Sequence, residues 1–104
     1  MTIDTARLCT LMTAVEVITK EVPRLYRARG ASLLDTERAV LRLLRQSAHA
    51  LAEACAIVAG DPATFAKLEA LRTKTVEWLV DSARTCKALE EGELMAEAEG
   101  KTLH

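Results

Sequence analysis

Apolar residues recur along this chain at alternating steps of three and four. In the first third they fall at Leu8, Leu11, Val15, Ile18, Val22 and Leu25. That spacing keeps one face of an α-helix apolar through more than two heptads. Met12 and Tyr26 widen the stripe. A second seam runs Leu34, Leu41, Leu44, Ala48, Leu51, Cys55, Val58, with Val40, Ser47 and Ala54 as small neighbours. A third, broader one carries Phe65, Leu68, Leu71, Thr75, Val76, Trp78, Leu79, Ser82, Cys86 and Leu89.

Glycines divide these segments. Gly30, Gly60 and Gly92 each close a block of similar length, and glycine is favoured just past a helix end. Caps stand where the blocks begin. Thr2 or Asp4 can cap the first helix. In "GASLLDTERAV" Ser32 caps the second, or Asp35 caps a later start. In "AGDPATF" Asp61 caps the third, and Pro62 takes the first turn, where its missing N–H costs nothing.

The pattern therefore predicts an all-α protein: an antiparallel bundle of three long helices over about residues 4–29, 33–59 and 62–91. A bundle domain spans 1–92, and an acidic tail spans 93–104. Pro23 lies inside the first helix, yet the seam keeps phase across it. A kink convex toward solvent is expected there, ahead of a break into two helices.

Composition sharpens the picture. Half of the 104 residues are hydrophobic, but only Tyr26, Phe65 and Trp78 are aromatic. Eighteen alanines and fifteen leucines favour closely packed helices. The net charge is −1 and unevenly spread: residues 1–45 carry eight Lys/Arg against five Asp/Glu, and residues 46–104 carry six against ten. Lys20, Arg24, Arg27, Arg29, Arg38, Arg42 and Arg45 form the largest basic set, diluted by Glu21, Asp35 and Glu37. A nucleic-acid protein would turn such a set on phosphates. Solvated helix faces explain it better, and nucleic acid is not expected as the partner.

Candidate chemistry is sparse. His49 and Glu53 stand at i, i+4, but two ligands are too few for a metal centre; His104 is terminal. Cys9, Cys55 and Cys86 form no C-x-x-C pair, which suits reduced thiols in a cytoplasmic protein. Cys55 and Cys86 fall on apolar stripes, while Cys9 lies beside one. No phosphate loop, nucleophile elbow or pair of catalytic acids is present in the sequence. The expectation is a non-enzymatic protein with no cofactor and no small-molecule substrate. The opening "MTIDTARLCTLM" lacks a basic region followed by an apolar run, so no secretory leader is expected. Nor is a membrane span.

The stretches "LMTAVEVITKEVPRLYRARGASLLDTERAVLRLL" and "LEALRTKTVEWLVDSARTCKALEEG" resemble the small flagellar type III export chaperones of the FlgN kind. Leu33, Glu37 and Leu41 sit at places comparable to that family's second helix. The resemblance implies a cytoplasmic chaperone that holds a disordered end of a secreted client.

Independently of it, three long helices with broad stripes leave apolar surface for a protein client, a partner helix or a second copy of the chain. Leu71, Trp78, Leu79 and Leu89 are the expected partner-binding strip. Two other readings stay open: a small regulator using its Arg-rich end on nucleic acid or an acidic partner, and a self-associating structural protein.

Overall fold

The computed structural model describes residues 3–28 and 30–102 and shows an all-α bundle of three long helices. They are α1 (Thr5–Arg27), α2 (Leu33–Ile57) and α3 (Pro62–Thr102). Thr2, Arg29 and His104, which the sequence also singled out, lie outside the described residues.

Each helix start is fixed by a local hydrogen bond that satisfies an otherwise orphaned N–H. The Asp4 carboxylate accepts from the Arg7 N–H at 3.0 Å, and the Ser32 hydroxyl oxygen accepts from the Asp35 N–H at 3.0 Å. Asp61 accepts from the Thr64 hydroxyl at 2.9 Å and from its N–H at 3.4 Å. Those two bonds hold the Asp61 carboxyl below its ordinary pKa.

The helix ends follow different rules. Gly30 turns the chain with φ 102°, a conformation that side chains resist. Gly60 has no positive φ; the Asp61 N–H reaches back to the Val58 carbonyl at 2.9 Å to make a tight turn instead. Gly92 ends nothing. The sequence places the end of the third helix at about residue 91, and α3 runs on to Thr102. A mid-helix glycine costs only about 1 kcal/mol relative to alanine, and the Glu, Leu, Met and Ala around it are good helix formers. Residues 93–102 therefore continue the helix rather than forming a separate tail.

α1 is continuous through Pro23, which is solvent-exposed. Pro23 follows the buried Val22, so its ring projects from the side of α1 away from the seam.

α2 is the centre of the molecule. Close packing joins α1 to α2 and α2 to α3; among the described residues α1 and α3 do not form a packed pair. The result is a slab of 69 × 22 × 14 Å. Serving two neighbours, α2 buries a wider stripe than one seam. Val40, Ser47 and Ala54, expected only as flanking positions, are buried, while Leu41 and Ala48 on the expected seam are half-buried.

Two clusters fill the interior. Leu11, Ala54, Cys55, Val58 and Leu68 pack at one end; Val22, Val40 and Leu44, with Leu25, Leu43 and Leu79 against them, pack at the other. Two ion pairs brace the slab across its helices. Arg7 grips Glu53 with both guanidinium and carboxylate edges, the shortest contact being 2.8 Å, and Arg38 meets Glu90 at 3.1 Å. Both pairs are about half exposed, so each contributes at most about 1 kcal/mol. Their larger effect is on register.

Candidate functional site

Because α1 and α3 lean on α2 without closing on each other, a groove runs between them. Met12, Val15, Glu16, Thr19 and Lys20 of α1 line one wall and Leu71 of α3 the other, around a space of about 350 Å³. The wall is more apolar than its residue names suggest. The Thr19 hydroxyl donates to the Val15 carbonyl at 2.8 Å, and Glu16 and Lys20 neutralise each other at 3.0 Å. Thr75 likewise turns its hydroxyl onto the Leu71 carbonyl at 2.9 Å.

The expected strip of Leu71, Trp78, Leu79 and Leu89 divides on this framework. Leu71 and Trp78 are 39 % and 40 % exposed. They stand seven residues apart, on the same line of α3. Leu79 is half-buried and packs against the Val22, Val40 and Leu44 cluster. One residue turns a helix by roughly 100°, so two adjacent apolar residues cannot share a face. Leu89 is also half-buried. Lys67 and Lys74 stand four before and three after Leu71, both exposed, with no ion-pair partner among the described residues. They put positive charge beside the apolar line.

Further along the three helices stands a polar link that sequence reasoning did not identify. Glu37 of α2 is only 5 % exposed. Its carboxylate accepts from the Tyr26 hydroxyl of α1 at 3.0 and 3.1 Å and from the Ser82 hydroxyl of α3 at 2.8 Å. One acid thus joins all three helices. Burial, then the hydrogen bond and negative charge of Glu37, push the Tyr26 pKa up to about 12. A signal for this was present. Leu44, Leu51 and Val58 repeat every seven residues, and one further step back lands on Glu37. The apolar seam had skipped that place, between Leu34 and Leu41.

Glu53 is taken up by Arg7 rather than facing a metal with His49, and among the described residues no three His, Cys, Asp or Glu side chains gather. Cys9 is exposed, while Cys55 and Cys86 are buried. Burial, with Glu69 beside Cys55 and Glu37 beside Cys86, pushes both buried thiols up from their ordinary pKa. The basic set is partly neutralised: Lys20 pairs with Glu16, Arg24 with Glu21, and Arg38 with Asp35 and Glu90. Arg42 and Arg45 stay exposed without a carboxylate partner among the described residues. No described helix is long and apolar enough to cross a membrane.

Comparison with protein-family models, with curated proteins and with solved structures gave no match.

Proposed function

We propose that this chain is a protein-binding module that holds an amphipathic helix of another protein in the groove between α1 and α3. One observation carries the reading: an open apolar trough with Leu71 exposed on its α3 side, and Trp78 exposed seven residues further along the same line of α3. A helix laid along it would cover Met12, Leu71 and Trp78 with its apolar face. Carboxylates on that helix would meet Lys67 and Lys74, so the fitting client has an acidic margin. A chaperone or adaptor role follows, since such a site binds a segment without changing it chemically. An export chaperone of the FlgN kind is a narrower form of the same reading, with a secreted protein as client.

The test is a photoreactive residue placed at Leu71 in the native host, with the adduct identified by mass spectrometry. The reading expects one dominant protein, cross-linked through an amphipathic segment. A synthetic peptide of that segment should shift the backbone amide signals of Met12, Thr19, Leu71 and Trp78, and Trp78→Ala should weaken its binding. Adducts scattered over many unrelated proteins, or shifts lying elsewhere on the chain, would overturn it.

A further inference from the structure

α3 is longer than the body that supports it. Ser82 meets Glu37 at 2.8 Å, so Ser82 lies level with the second turn of α2, and the long Arg38 side chain reaches on to Glu90 at 3.1 Å. The two helices are antiparallel, and Leu33, the first residue of α2, lies level with about residue 86. α3 then continues to Thr102, roughly 24 Å further at its ordinary rise. In this last section Leu94 and Met95 are 66 % and 65 % exposed. A helix end supported on one side only is marginal in water. Its charge is also one-sided: residues 90–102 contain five glutamates and one lysine.

Beside it stands the complement. Arg38, Arg42 and Arg45 follow one another at steps of four and three along the exposed face of α2. Arg38, Glu90, Glu93 and Leu94 line an open hollow of about 260 Å³ where that face meets α3. The acidic, apolar end of α3 thus meets the basic stripe of α2 at Arg38, with opposite charge, and Arg42 and Arg45 continue the stripe away from it. The acidic end runs away from its own stripe and cannot fold back onto it as a continuous helix.

We propose that a second copy of this chain docks at this corner, in a two-fold arrangement. Each copy lays its α3 end against the Arg42–Arg45 stripe of the other. A two-fold contact lets one surface serve both copies. Leu94 and Met95 rest on the aliphatic stems of the arginines, whose charged heads meet the glutamates. None of these residues lines the α1–α3 groove, so the dimer leaves both grooves open and each pair presents two client sites. The contact is small beside the roughly 800 Å² per partner of a standard interface. It is therefore weak, concentration-dependent and sensitive to salt.

Sedimentation equilibrium of the full chain tests this. The mass should climb from 11.4 kDa toward twice that value with concentration at low salt, and fall back at high salt. Arg42→Glu with Arg45→Glu should raise the dissociation constant by about tenfold or more, because attraction becomes like-charge repulsion. Leu94→Asp should weaken it as well. Adding Glu91→Lys and Glu93→Lys to the arginine reversals should restore the dimer. All these positions are exposed, and circular dichroism checks that helicity is kept. A chain that stays monomeric throughout, a dimer indifferent to the reversals, or a failure of the restoring swap overturns the proposal. Loss of client cross-linking at Leu71 would leave it standing.

Discussion

Tyr26 donates its hydroxyl to both carboxylate oxygens of Glu37, at 3.1 and 3.0 Å, from a helix that the chain completes before α2 begins. The phenol must stay protonated to make these bonds. Its pKa, pushed up from 10.0 to about 12, records that demand. A raised pKa stabilises the fold while the group is neutral. The contribution is complete below pH 10 and is lost as pH climbs toward 12. Tyr26 is the sole tyrosine, so ultraviolet titration reads it directly. We expect a midpoint near 12 in the folded chain, falling part of the way back toward 10 in Glu37→Gln. A midpoint near 10 in the parent protein would contradict the contact.

Removing the shared acceptor should cost more than either donor. Glu37→Ala leaves the buried Ser82 hydroxyl without its partner and opens a space between three helices. A loss of about 1–3 kcal/mol is expected, read as a lower urea midpoint at unchanged slope. Glu37→Gln keeps an acceptor and should lose less. Equal stability of Glu37→Ala and the parent would count against the three-helix link.

The thiols should separate cleanly. Cys9 is exposed, whereas Cys55 and Cys86 are each 5 % exposed with pKa values raised by burial. A thiol reagent near neutral pH should modify one cysteine per folded chain and three in urea. Cys9→Ser should abolish the fast phase. Rapid modification of two or more thiols in the native protein would show that the core is not closed around them.

Gly92 and Gly30 should respond in opposite directions to alanine. A methyl group at Gly92 meets nothing within 4 Å, and the residue lies inside α3 without a positive φ. Gly92→Ala should raise stability or helicity by up to about 1 kcal/mol. Gly30 sits at φ 102°, where a side chain is strained even in open space. Gly30→Ala should therefore destabilise, by roughly 1 kcal/mol. Thermal melts of the two variants should bracket the parent.

Much of this architecture was legible because its causes are local. Asp4, Ser32 and Asp61 each cap a helix through a partner three residues on, and such a bond needs no knowledge of the rest of the chain. The seam of α1 was equally plain, with Leu11, Val15 and Val22 buried where the period places them. What escaped depends on neighbours. Gly92 reads as a stop, but a glycine stops a helix only when the chain has a reason to turn there. Glu37 was passed over because a hydrophobic pattern has no symbol for a carboxylate that two hydroxyls satisfy. Trp78 and Leu79 could not be separated either. Their stripe is broad, and only the position of α2 decides that Leu79 packs inward while Trp78 keeps contact with water.

The placing of α2 between two helices that form no packed pair among the described residues also orders the way the chain comes together and apart. The links Ala28–Ser32 and Val58–Asp61 are short, so most interior contacts join segments adjacent in the chain, a topology associated with rapid folding. Either wing can peel away while the other stays zipped to the middle. The amides of α2, sheltered from both sides, are then the last to trade their protons with solvent.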